Sequence, residues 1–212
     1  MNSNPRTIYV DMDDVLCQTA RRFLAILERE FGKRIAYEQL TNFDIGDACN
    51  LQPNERDELY RIVHEAHELL NLEPVADAMQ VLRQWSARGY EIAIVTGRPP
   101  QSQEVSLEWL ARHRVPFETF TMVDKYGRFA TDDTVAITLN ELSARRFCWA
   151  VEDSLPMAQY LASQMAVPVA LIDCPWNRAD AEHSGIARYS AWSEIVETMP
   201  NGVARLNPKK NR

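Results

Sequence analysis

Three carboxylates fall within four positions at Asp11-Met12-Asp13-Asp14, directly after the apolar run Ile8-Tyr9-Val10. Like charges this close repel, and each loses hydration near a core, so the group is costly unless a cation or a reaction compensates. Asp11 and Asp13 are two apart, and on an extended segment that spacing points both side chains to one face. Two carboxylates aimed at one point from a strand end suit a hard divalent cation such as Mg²⁺. Two further apolar runs end in reactive groups: Glu91–Thr96 leads into Gly97-Arg98-Pro99-Pro100, and Phe147–Val151 leads into Glu152-Asp153. Strand ends of a parallel sheet lie along one edge, so all three can converge from distant parts of the chain.

The elements that must position them alternate in period. Strands are predicted at Ile8–Val10, Glu91–Thr96, Thr119–Val123, Phe147–Val151 and Val167–Ile172. Helical spacing is predicted over 18–31, 54–70, 75–88, 101–114, 155–165 and 192–199. Residues 134–146 read as helix, although Thr134, Val135, Ile137 and Thr138 would also suit a strand. Strands alternating with helices imply an α/β fold: a doubly wound, Rossmann-like parallel sheet with helices on both faces. One stretch breaks the alternation. Residues 17–75 are helical or irregular and too long for a crossover, which predicts a small inserted all-helical cap over the edge where ligands bind. The expected organisation is a core of residues 1–16 and 76–212 with a cap of residues 17–75.

The 212 residues are 46% hydrophobic and 25% charged, with a net charge of −7. That balance argues against a nucleic-acid polymer or a membrane surface as partner, both of which call for a basic face. It leaves room for a small anionic substrate, because a bound divalent cation reverses the local field. The first residues lack the apolar core of a signal peptide, and no apolar run approaches the about 20 residues of a membrane span. A cytoplasmic location is therefore expected. Cys17, Cys49, Cys148 and Cys174 show no paired spacing and are expected as free thiols rather than zinc ligands.

Asp11-Met12-Asp13-Asp14-Val15, the strand ending at Thr96 and the pair Glu152-Asp153 resemble, in order, the first, second and fourth motifs of the haloacid-dehalogenase-like hydrolase superfamily. The resemblance makes Lys125 the candidate for the third motif, a lysine ahead of the last motif strand. The position and length of the insertion are similar to a C1-type cap. With the segment Asp173-Cys174-Pro175-Trp176-Asn177-Arg178, they most resemble the 5′(3′)-deoxyribonucleotidase branch. Asp14 departs from the pattern, since glycine is common there.

The resemblance implies a Mg²⁺-dependent phosphomonoester hydrolase. Asp11 would be the nucleophile, forming an aspartyl-phosphate. Asp13 would act as acid and then base. Asp11, the Asp13 backbone carbonyl and Asp153 would hold the metal, with Glu152 close behind. Thr96, Gly97 and Lys125 would bind the phosphoryl group, and the substrate would be a small phosphate ester such as a nucleoside monophosphate. Two other functions share this scaffold: a phosphotransferase or sugar-phosphate mutase, and a non-catalytic phospho-ligand module. The oligomeric state stays open. Arg98 could contact substrate or pair with a surface acid. His64 and His67 could ligate a metal but read better as cap or solvent-facing residues. Phe23, Tyr37, Phe43 and Tyr60 could form an aromatic slot, or simply the cap core.

Overall fold

The structure is a computed structural model that describes residues 6–42, 44–127, 129, 135–178 and 183–198. Phe43, Thr134 and residues 199–212 therefore lie outside the described residues. The strands are β1 (Thr7–Val10), β2 (Glu91–Thr96), β3 (Thr119–Val123), β4 (Ala136–Ile137), β5 (Trp149–Glu152), β6 (Val169–Ile172) and β7 (Ile186–Tyr189). The helices are α1 (Thr19–Phe31), α2 (Ile45–Ala48), α3 (Pro53–Val63), α4 (Ala66–Leu70), α5 (Ala78–Ala87), α6 (Gln103–Arg112), α7 (Leu139–Ser143), α8 (Leu155–Gln164) and α9 (Trp192–Thr198).

All seven strands join one parallel sheet in the order β4-β3-β2-β1-β5-β6-β7. The chain winds outward from β1 through β2, β3 and β4, then crosses to β5 on the other side of β1. That reversal leaves a crevice at the carboxyl end of β1, beside β5. Burial on both sheet faces explains the continuous apolar runs. Ile8 and Val10 pack on one side with Leu82, Trp85, Trp109 and Trp192, from α5, α6 and α9. Tyr9 points the other way, to Leu142, Met157 and Leu161 from α7 and α8. The predicted α/β doubly wound class is the observed one.

Among the described residues, no strand lies between Val10 and Glu91. The insertion has its own apolar cluster, including Phe23, Ile26, Leu27, Leu40, Leu59 and Ile62. It leaves and re-enters the sheet region through two segments bonded to each other: Gln18 N–H donates to Glu73 O (2.8 Å) and Val75 N–H to Leu16 O (2.8 Å). The single helix predicted over 54–70 is two helices. The break falls at His64 and Glu65, where Glu65 turns extended (ψ 140°). Apolar spacing continues through the break, with Leu59, Ile62 and Val63 before it and Leu69 after it all buried, so periodicity alone does not reveal the break.

An ion cluster ties α4 to α1. The buried Glu68 carboxylate accepts from Arg22 Nε (2.6 Å) and Arg29 Nη2 (2.7 Å). Burial would raise the Glu68 carboxyl, but Arg29 and Arg22 outweigh it and hold it below its usual value. Glu68→Gln is expected to lower unfolding stability by about 1–2 kcal/mol at neutral pH, because both arginines are partly hydrated and keep some solvation. A depressed carboxyl stabilises the fold above its unfolded value of about 4.3, and that contribution is lost as pH falls through the folded value. Urea titrations of both proteins should therefore show the gap closing below about pH 4.

Candidate active site

β1 leads directly into Asp11, whose backbone N–H donates to Val151 O on β5 (3.0 Å). β5 ends in Glu152, followed by Asp153. β3 sits two strands away from β1, and just beyond its end Lys125 reaches back across β2. Its Nζ donates to Asp11 Oδ1 (2.7 Å) and Glu152 Oε1 (2.7 Å). The lysine side chain is only 2% exposed, so this is a buried charge fixed between two carboxylates. Gly97 eases its path: a Cβ there would lie 3.2 Å from Lys125 Cδ, close enough that the lysine stem would have to shift by a few tenths of an ångström.

Asp11, Glu152 and Asp153 place carboxylate oxygens within 4.8 Å of one another, all buried. Glu152 is heavily committed. Its Oε1 accepts from Tyr9 Oη (3.0 Å) as well as Lys125, and its Oε2 accepts the Asp153 and Ser154 N–H groups (2.9 Å each). A carboxylate has about four lone-pair positions, so Glu152 has little capacity left. Asp11 and Asp153 are less committed: among the described residues Asp11 Oδ2 accepts no hydrogen bond, and Asp153 receives one side-chain donor, Trp176 Nε1 (2.9 Å). An all-oxygen donor set of this kind fits a hard divalent cation.

Protonation equilibria carry the same message. Burial pushes Asp11 up to about 7, with Glu152 and Asp13 adding to it against the pull of Lys125. Burial, then Glu152, Asp11 and Asp14, holds Asp153 well above the usual carboxylate range. Burial works against the Lys125 ammonium, but Asp11 and Glu152 outweigh it and keep the charge firmly on. One ammonium cannot neutralise three buried carboxylates, so the cluster lacks positive charge.

Asp13 has a separate partner. The buried Arg98 guanidinium donates to it from Nη2 (2.7 Å) and Nε (3.0 Å), and Thr19 Oγ1 donates at 2.5 Å. Burial would raise the Asp13 carboxyl, yet Arg98 and Thr19 bring it below the ordinary value. Arg98 thus pairs with a carboxylate of the site rather than a surface acid, and Ser106 Oγ accepts its Nη1 (3.0 Å). Thr96 is fully buried, and its Oγ1 accepts the Arg98 N–H (3.1 Å), which holds the turn that aims Arg98.

Asp14 has a local role. Its φ is +55°, a left-handed conformation that glycine or a short polar residue tolerates. Both its oxygens accept the Ala20 N–H (3.0 Å), capping α1, where Gln18 supplies no side-chain cap. Burial, with Asp13 and Asp11 adding, raises its carboxyl to about 8.

Asp11, Asp13, Asp14, Gly97, Arg98, Lys125 and Asp153 line a cavity of about 860 Å³ between the strand edge and the insertion, whereas Thr96 and Glu152 lie behind its wall. Phe23 and Tyr60 stand in its wall, edge to face at 5.7 Å, and His64 beside them bonds Tyr60 O through Nδ1 (2.6 Å). Tyr37 instead packs on Trp176. His67 lies outside the acidic cluster, next to Glu65 and Glu68. The links of Arg98 to Asp13, Tyr9 to Glu152 and Trp176 to Asp153 were not predicted. The Thr-Gly-Arg triplet at a strand end and a tryptophan in a polar segment are the signals that point to two of them.

A parallel sheet of this order, with an acidic cluster and a buried lysine at the central strand ends, defines the haloacid-dehalogenase-like hydrolase class. Residues 5–154 match the family described as 5′ nucleotidase, deoxy (pyrimidine), cytosolic type C, and the chain belongs to that family of phosphatases. A curated protein of Halalkalibacterium halodurans, provisionally named a nucleotidase, is 26% identical over 199 residues, covering 92% of this chain and 93% of its own. The fold is shared with a Clostridium acetobutylicum structure provisionally named a phosphatase (TM-score 0.60, 14% identity, 92% of this chain and 98% of that one). It is also shared with a magnesium-bound Bacillus subtilis structure provisionally named a haloacid-dehalogenase-type hydrolase (TM-score 0.57, 12% identity, 92% and 98%). Among the described residues, no helix is long and apolar enough to cross a membrane.

Proposed function

We propose that the chain is a Mg²⁺-dependent phosphomonoester hydrolase that cleaves nucleoside monophosphates through an aspartyl-phosphate on Asp11. The observation that carries this reading is Asp11 itself: a buried carboxylate at the central strand end, with one oxygen on Lys125 and the other available. Asp11 would attack phosphorus as the ester P–O bond breaks, and the leaving oxygen would take a proton from Asp13. Water would then attack the aspartyl-phosphate and give its proton to Asp13, releasing phosphate and restoring Asp11. The base half of that role suits an Asp13 carboxyl that Arg98 holds below its ordinary value. The acid half requires the Arg98 pair to loosen when substrate enters. Lys125, Gly97 and the Thr96 turn would face the phosphoryl oxygens.

Asp11, the Asp13 carbonyl and Asp153 would hold Mg²⁺, with Glu152 fixing Lys125 and the loop behind them. When bound, the metal would screen the repulsion between carboxylate and phosphate and stabilise charge on the transferring group. The composition of the cavity wall supports this reading: Asp11, Asp13, Asp14, Asp57, Glu65 and Asp153 face Arg61, Arg98 and Lys125, each already paired with an acid.

Residues 17–75 would act as the cap, hinged at the paired segments around Leu16 and Val75, with the Phe23–Tyr60 pair offered to a base. Cytoplasmic operation belongs to the same proposal, since free thiols suit a reducing compartment. Phosphate release should be assayed over nucleoside monophosphates, phosphoglycolate and sugar phosphates, with Mg²⁺ or EDTA. Release that requires Mg²⁺ and is greatest for nucleotides is expected; no release from any ester with Mg²⁺ present would reject the reading.

A further inference from the structure

Asp153 receives a hydrogen bond from Trp176, a residue in the loop after β6, 23 positions further along the chain. The loop that carries it is rigidly built. Residues Pro175–Asn177 form a single 3-10 turn, and Asn177 inside it is fully buried. Asn177 Nδ2 donates to Asp153 O (2.7 Å) and Ile172 O (2.8 Å), joining the ends of β5 and β6. Asn177 Oδ1 accepts the Cys174 N–H (3.2 Å), and Arg188 Nη2 on β7 donates to Asn177 O (2.6 Å). The backbone of Trp176 is thus clamped to the strand that delivers Asp153, and its indole N–H reaches Asp153 Oδ2.

The same indole touches the insertion. Tyr37 meets it edge to face at 5.6 Å, and the Arg21 guanidinium covers the Tyr37 ring at 4.3 Å. Trp176 packs against both the sheet core and the core of the insertion. Among the described residues, one side chain therefore both hydrogen-bonds a cluster carboxylate and packs on the helical insertion.

We propose that Trp176 is a positioning residue: its indole N–H orients Asp153 for the divalent cation, and its contact with Tyr37 makes the seating of the insertion part of that orientation. The inference rests on the proposed cation at Asp11 and Asp153. A carboxylate ligand whose second oxygen is held by a donor needs less reordering on metal binding, and loss of such outer partners typically weakens metal affinity about 10–100-fold. Coupling is reciprocal: if the Tyr37 contact strengthens cation binding, a bound cation strengthens that contact by the same factor.

The test is Mn²⁺ binding to the full chain without substrate, measured by titration calorimetry and by the electron paramagnetic resonance of free Mn²⁺. Trp176→Phe keeps a ring against Tyr37 and removes the N–H; it should bind Mn²⁺ about 10–100-fold more weakly. Its melting temperature without metal should stay near wild type, while the rise on adding Mn²⁺ shrinks. Tyr37→Leu leaves the N–H in place and should weaken Mn²⁺ binding several-fold. Wild-type affinity in Trp176→Phe would overturn the positioning role, and wild-type affinity in Tyr37→Leu would overturn the coupling to the insertion. A wild-type chain that binds no Mn²⁺ would instead remove the cation reading on which both stand.

Discussion

Asp11→Asn is expected to lower phosphate release at least about 10³-fold while leaving the fold intact. An amide is a poor nucleophile toward phosphorus, and removal of a covalent nucleophile typically strips most of the rate enhancement. The fold should tolerate the change because Lys125 keeps Glu152 at 2.7 Å, and because the substitution removes one charge from an overcrowded cluster. Initial rates with Mg²⁺ and a nucleoside monophosphate, beside melting curves of both proteins, separate the two effects. Retention of more than about a tenth of the activity would assign the attacking group elsewhere.

Lys125→Met differs in that it should affect both stability and rate. Lys125 is the shared cation of two buried carboxylates, at 2.7 Å from each. Removing one partner of a buried pair typically costs about 3–5 kcal/mol, because the remaining charge is left uncompensated. Asp11 already sits near 7 and can shed part of that burden by protonating, so the lower end of the range is expected. For a chain of this size it corresponds to a melting temperature lower by roughly 6–12 °C. The rate should fall at least about 10²-fold through loss of a preorganised charge at the phosphoryl group. Melting within about 2 °C of wild type would mean that the lysine carries little of the local electrostatics.

The strands that deliver these groups were legible because β1, β2, β5 and β6 are buried on both faces and read as continuous apolar runs. β4 and β7 were not. β4 is two residues long and half-buried, and Ile186–Tyr189 at the sheet edge carries Arg188 in an exposed position. Edge strands lack the second buried face that makes a run conspicuous. Asp11, Asp13, Glu152 and Asp153 were visible as acids at the ends of such runs. Lys125 was reached only through the resemblance to a family motif, since nothing local distinguishes it from a surface lysine near Gly127.

The grip of Arg98 on Asp13 and of Trp176 on Asp153 was not legible for the same reason. They join residues 85 and 23 positions apart, and only the folded sheet edge brings them together. Asp14 shows how a backbone conformation explains what residue type alone leaves open. As a third acid it had no assigned role in the sequence, whereas its left-handed backbone and its bond to Ala20 make it the cap of α1.

The most direct test of Asp11 as the covalent nucleophile is chemical trapping. The enzyme, turning over a nucleoside monophosphate with Mg²⁺, is quenched in acid and treated with borohydride, which reduces an aspartyl-phosphate to homoserine. Peptide mass mapping should find homoserine at position 11, dependent on substrate and absent from Asp11→Asn. Active turnover with position 11 unmodified, or with the label at another carboxylate, would contradict it.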